Sequence, residues 1–228
     1  ILLLLVTVSR IFETQNQASK IIPSAGMKKL TPLILSTILL ATACTPNPSV
    51  QNKQVFHYNQ ESGISSLDPA FARDQATGWA VNLLYNGLLQ LDSQLRLQPA
   101  IARHWEVNEA GTLYKFWLRT DVYFHANKCF ENGNRRKVTA SDFVYSFKRL
   151  IDPTTASPGA WIFNDKLHGD GFYAPNDSLF EIHLQAPFPP LPELLTMGYC
   201  SVVPHEAIRF YGNTFRENPV GTGPFQLA

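Results

Sequence analysis

The residues best equipped for metal or covalent chemistry are three cysteines, Cys44, Cys129 and Cys200, and six histidines, His57, His104, His125, His168, His183 and His205. Among these, His125 and Cys129 alone have a spacing that could bring two metal ligands together on one loop, and a closed zinc site needs four. No metal is therefore expected. A phosphate-cradling G-x-x-x-x-G-K-[ST] run is missing, as is a G-x-S-x-G nucleophile elbow. No Ser, His and acid are grouped along the chain, and pairing among the many carboxylates cannot be read from their order. Catalysis is the weaker class of reading, and no cofactor is expected.

Cys44 stands apart because of what precedes it. From Met27 the order is Lys28-Lys29, the apolar run Leu33 to Ala43, then the cysteine, which is the charged, apolar and small-residue sequence of a secretory signal. Ala41-Thr42-Ala43-Cys44 is similar to a lipobox, the motif cut by signal peptidase II before a cysteine that becomes diacylated. Leu40 stands one place earlier than the usual leucine of that motif. Thr45-Pro46-Asn47-Pro48-Ser49 then has the polar, proline-rich character of a tether. We expect residues 27–44 to form a lipoprotein signal peptide and 45–54 a tether, with lipidation at Cys44, export, and a membrane anchor; an ordinary signal peptide with an incidental cysteine is the alternative. Residues 1–26 read as an upstream or mis-started segment, since Ile1 to Val8 is far short of the roughly 20 residues that span a bilayer. In an oxidising compartment Cys129 and Cys200 could form a disulfide or remain buried thiols.

Across the whole chain, 45% hydrophobic and 16% charged residues over 228 positions describe a globular protein and argue against disorder or a multi-span membrane protein. Four of the 19 basic residues and one of the 18 acidic ones precede Cys44, so the remainder carries a net charge of −2. No basic surface for nucleic acid follows from that balance. Sixteen prolines and 13 glycines are dispersed, which predicts many short elements joined by turns, and no fixed-period repeat is present.

Along residues 55–228 the pattern predicts a strand at Val55 to Tyr58 and a helix from near Asp74 to Asn86, with Trp79, Leu83 and Leu84 at helical spacing and Gly87 as the stop. Strands are expected at Leu88 to Leu91, at Tyr114 to Leu118 and through Phe180, Ile182 and Leu184. In the second of these Tyr114, Phe116 and Leu118 form the packed face. The strongest helix begins at Thr139, where the hydroxyl caps, Asp142 completes the first turn, and Phe143, Val144, Phe147 and Leu150 make one apolar stripe ending at Asp152-Pro153. Shorter helices are expected from Leu191 to Met197 and from Pro204 to near Gly212. Val220 to Leu227 reads as a turn entering a further strand, so we expect these residues to belong to a longer fold. Interleaved strands and helices predict an α/β class. Trp79, Trp105 and Trp117 are expected in the core, Trp161 is open between core and ligand platform, Asp68 is expected to bond its own backbone in a turn, and Arg135-Arg136-Lys137 reads as a solvated loop.

Seven stretches in order extend the reading: Ser65-Ser66-Leu67-Asp68-Pro69; Leu84-Tyr85-Asn86-Gly87-Leu88-Leu89; Pro99-Ala100-Ile101-Ala102 with Trp105; Tyr114 to Arg119; Val138 to Arg149; Asp152-Pro153-Thr154-Thr155-Ala156-Ser157-Pro158; and Pro219 to Phe225. On these, residues 55–228 resemble the family 5 extracellular solute-binding proteins, the oligopeptide, dipeptide and nickel binders of ABC importers. The resemblance implies a periplasmic-binding-protein-like α/β fold of the class II type: a first lobe with its inserted small subdomain here, and a second lobe outside this sequence. It also implies a peptide or similar small solute as ligand and ABC permease subunits as partners. Family members pair extended backbone just after the Leu-Asp-Pro motif with the ligand main chain, which implies Arg73, Asp74 and Gln75 as ligand-binding residues. They often carry an aromatic after Ala-Ser-Pro, where this chain has Gly159, with Trp161 two residues on as the implied substitute. Nickel complexes or sugars are alternative ligands, and a truncated, non-transporting lipoprotein is the rival from another class.

Overall fold

The computed structural model describes residues 55–227. The expected signal peptide, Cys44 and the tether lie outside the described residues. Among the described residues no helix is long and apolar enough to cross a membrane.

The chain divides into two units after His57. The second unit holds α1 (Gln75–Leu84), β1 (Leu89–Leu91), β2 (Leu97–Pro99), β3 (Ala102–Val107), β4 (Leu113–Leu118), α2 (Ala140–Ile151), β5 (Leu167–Asn176), β6 (Leu179–Leu184), α3 (Leu191–Leu194) and α4 (His205–Tyr211), in that order, with short 3-10 turns between them. β1 and β2 form a hairpin, and the other four strands make a sheet in the order β3-β4-β6-β5. Every pairing in both sheets is antiparallel. This is an α/β fold, as expected.

Alternation along β4 and β6 sends Tyr114, Phe116 and Leu118, and Phe180, Ile182 and Leu184, to one buried face, because successive strand residues point to opposite sides. On that face lies α2. Its start is built as the sequence predicts: the Thr139 backbone N–H donates to Asp142 Oδ2 at 2.8 Å within a capping box, satisfying donors the helix cannot use itself. Its stripe then delivers Phe147 into a nest of rings, 5.1 Å from Phe163, 5.4 Å from Phe180 and 5.5 Å from Phe172 between centroids.

Four expectations are corrected. Residues 55–60 take no regular structure, and neither do 224–227. In place of a strand, Val220 to Leu227 is bound along the end of α1: Gly223 N–H donates to Leu84 O at 2.9 Å and Phe225 N–H to Leu83 O at 3.2 Å. A side chain at Gly221 or Gly223 would run into the Leu84 backbone, so the Gly-Thr-Gly spacing serves close approach of two chain segments. Trp79 is 52% exposed instead of buried, since α1 turns Ala76, Thr77, Ala80, Val81 and Leu84 inward and leaves Trp79 on the outer side. Trp105 and Trp117 are only partly buried; the latter stacks on His104 at 4.4 Å with planes 8° apart. Finally, Arg136 is no solvated loop residue. Its guanidinium donates to both oxygens of buried Asp142, at 2.6 and 3.0 Å, and to Glu206 at 2.9 Å, while lying over the rings of Phe124 and Phe130.

Candidate ligand-binding site

The Leu67-Asp68-Pro69 turn sets the site. Asp68 Oδ1 accepts from Ala70 N–H at 3.1 Å and caps the 3-10 turn Pro69–Phe71, the role expected for an Asp-Pro turn. Sequence reasoning missed its second bond: both carboxylate oxygens accept from Arg149 of α2, at 2.9 and 2.5 Å. With Asp68 only 3% exposed, this ion pair fixes the turn to the far helix. The segment after α2 holds the same turn from another side: Ser157 Oγ donates to Ala70 O and accepts from Gly159 N–H at 3.0 Å.

Held in this way, the turn presents Arg73, Asp74 and Gln75 to solvent. Asp74 is the N-cap of α1, with extended backbone at φ −113° and ψ 161°. Its Oδ1 accepts from Thr77 N–H at 2.8 Å, and Oδ2 from the hydroxyls of Thr77 and Ser65 at 3.1 and 3.3 Å. The Thr77 amide, chiefly, holds this carboxyl below its ordinary value, so it is an anion at neutral pH. Gln75 is already the first residue of α1, so strand-like backbone extends only as far as Asp74. Beyond it the first helical turn is capped by Asp74, whose main-chain oxygen also accepts from Gly78 N–H at 2.9 Å. Asp74 and Gln75, with Ser65, Ile64 and Gln60, line an open cavity of about 420 Å³.

Trp161 sits on the 3-10 turn Ala160–Ile162 and is 48% exposed. The link between it and the Arg73–Gln75 edge runs through Ser157 and Gly159 and through a residue the sequence does not single out, Tyr199. The Tyr199 ring lies so close to Gly159 that a Cβ there would be 2.5 Å from its Cγ. Neighbouring Gly198 packs on Ala72 and Val81, one residue from Arg73. Apart from the amphipathic turn around it, nothing in the order of residues 191–204 signals this placement.

His125, Cys129 and Cys200 are committed to the fold. His125 Nε2–H donates to Gly223 O at 2.8 Å, and burial keeps the imidazole neutral by lowering its pKa. Cys129 and Cys200 are free thiols; burial pushes Cys129 up to about 11 and Cys200 well beyond its usual value. One group among the described residues, Asp142, His205 and Glu206, brings ligand atoms within 4.8 Å of each other, but Arg136 already supplies the positive charge between its carboxylates.

Comparison with known proteins assigns the chain to a family. The profile described as "Bacterial extracellular solute-binding proteins, family 5 Middle" matches residues 96–228. The chain is 30% identical to the periplasmic oligopeptide-binding protein OppA of Salmonella typhimurium over 93% of its own length and 40% of that protein's. It is 29% identical to an Escherichia coli K12 protein named "Probable deoxycholate-binding periplasmic protein YgiS", over 87% of this chain and 38% of that one. Among solved structures, Haemophilus influenzae OppA in complex with RPPGFSPFR superposes with a TM-score of 0.65 and 29% identity, covering 72% of this chain and 34% of that one. The chain thus spans about two fifths of the length of the curated relatives it matches. The profile match covers more than half the chain and settles the assignment: the chain belongs to the family 5 bacterial extracellular solute-binding proteins.

Proposed function

We propose that this chain forms one lobe of a peptide-binding protein that delivers its ligand to the permease of an ABC importer. In this reading the protein is exported through the signal at residues 27–44, tethered by a lipidated Cys44, and closes a second lobe, outside this sequence, over the Arg73–Gln75 edge and Trp161. The observation that carries it is the exposed edge after the Leu-Asp-Pro turn, offered by a family whose relatives are named for binding oligopeptides and solved with peptide bound. Extended backbone at Asp74, at the entry to α1, suits a peptide main chain, which gives affinity without reading side chains. A ligand that bridges two lobes favours the closed state by its extra contacts there, and that difference drives presentation to the permease. The edge and Trp161 bind; no chemical step is assigned to them.

A second reading has one observation in its favour: the relative named for deoxycholate points to an amphipathic steroid acid in place of a peptide. Mass spectrometry of the small molecules released on denaturing the purified full-length protein separates the two. Peptides of a few residues are expected; a steroid acid, a nickel complex or a sugar as the sole ligand contradicts the proposal. Lipidation is read in the same sample from the mass of the peptide beginning at Cys44, where a diacylglyceryl adduct is expected and an unmodified thiol is contrary.

A further inference from the structure

The ring of Tyr199 is held between the two parts of the candidate site. Its residue is part of the 3-10 turn Gly198–Cys200, anchored on one side by fully buried Cys200. On the other side a Cβ at Gly198 would stand 3.4 Å from Ala72 Cβ and 3.3 Å from Val81 Cγ1, so the turn lies directly on α1 and on the segment leading to Arg73. The ring covers Gly159, whose backbone at φ −84° suits any residue, but whose missing side chain leaves the space that Cγ and Cδ1 of Tyr199 fill. Even so, the residue is only partly buried, and the charges of Asp74 and Arg73 are both felt at its phenol. A rigid aromatic that is packed against backbone and still partly exposed presents a large contact area at small entropic cost.

We propose that Tyr199 is a further ligand-contacting residue, the wall between the Arg73–Gln75 edge and Trp161 against which an apolar or aromatic side chain of a bound peptide packs, so that it biases which peptides bind. This rests on the peptide-binding reading of the site. Gly159 is its positioning partner: any side chain at 159 displaces the ring.

The test is isothermal titration calorimetry of the full-length protein with two tripeptide series, Xaa-Ala-Ala and Ala-Xaa-Ala, in which Xaa is Gly, Leu, Phe, Lys or Glu. Tyr199→Ala is expected to weaken the Leu and Phe members of one series about tenfold, the size of a lost aromatic contact, and the Gly member less than about twofold. Tyr199→Phe keeps the ring and is expected to stay within about threefold of wild type for every peptide. Gly159→Ala should reproduce the selective loss while Tyr199 is present and add nothing in the Tyr199→Ala background, because the clash it introduces is then gone. An unchanged affinity ranking in Tyr199→Ala, or an equal weakening of every peptide in both series, overturns the assignment of Tyr199 and leaves peptide binding intact. Wild-type protein that binds no member of either series overturns the peptide reading and the role of Tyr199 with it.

Discussion

Arg149→Ala is expected to destabilise the folded domain by about 3–5 kcal/mol, the cost of leaving a buried charge without its partner. Asp68 is 3% exposed, and the Arg149 side chain only 16%. The guanidinium donates to both carboxylate oxygens, and Asp68 Oδ1 also accepts from the Ala70 amide. Water cannot replace the lost donors at so closed a position. The effect should be strongly non-additive: the double change Asp68→Ala with Arg149→Ala removes both charges and should cost far less than the two single losses together. Urea denaturation of the four proteins, followed by circular dichroism, measures the coupling directly. A loss below about 1 kcal/mol in Arg149→Ala is the range of a solvent-exposed pair and would show that the turn is not held in this way. Because the same turn sets Arg73 and Asp74, ligand affinity should fall with the single change even where the protein remains folded.

Phe147→Ala is expected to cost about 3–5 kcal/mol. Phe147 is fully buried and its ring meets four others, those of Phe143, Phe163, Phe172 and Phe180. It therefore joins α2 to two strands of the sheet and to the turn before β5, and truncation leaves a cavity that neighbours on separate elements cannot close together. Trp79→Ala provides the contrast. Although a larger side chain is lost, Trp79 is 52% exposed, and the expected change is within about 0.5 kcal/mol. Chemical denaturation compares the two; a Trp79 effect as large as that of Phe147 would restore the core position that helical spacing alone suggests.

The contrast between these two aromatics shows what is legible in the sequence. α2 can be read because two independent local signals agree there: a capping pair at Thr139 and Asp142, and an apolar stripe at period 3.6. β4 and β6 can be read because strict alternation leaves one assignment of faces. The pattern finds α1 but misjudges its buried side. Small residues, Ala76, Thr77 and Ala80, make much of that side, and the large Trp79 and Leu83 dominate the pattern although size does not decide which face has a partner. β5 is hidden because its pairing with β6 is broken by register shifts at Leu167/Phe172 and Tyr173/Asn176, with Gly169 and Gly171 at positive φ, and such an irregular strand has no clean period.

The candidate site divides along the same line. Arg73, Asp74, Gln75 and Trp161 come from motif resemblance, and Asp68 from turn chemistry, all of which are local. Arg149 and Arg136 act through partners 81 and 70 positions away, and Tyr199 through Gly159 on a separate turn. Their roles depend on which elements meet, and no spacing in a single sequence encodes that.

Contact between the ligand and the backbone from Arg73 to Gln75 is the claim on which the functional reading stands. Hydrogen–deuterium exchange of the full-length protein, with and without a saturating tripeptide, tests it most directly. Slower exchange on ligand binding is expected in fragments that cover residues 73–77, 159–163 and 198–200. Tight peptide binding with exchange unchanged across residues 73–77 would contradict it.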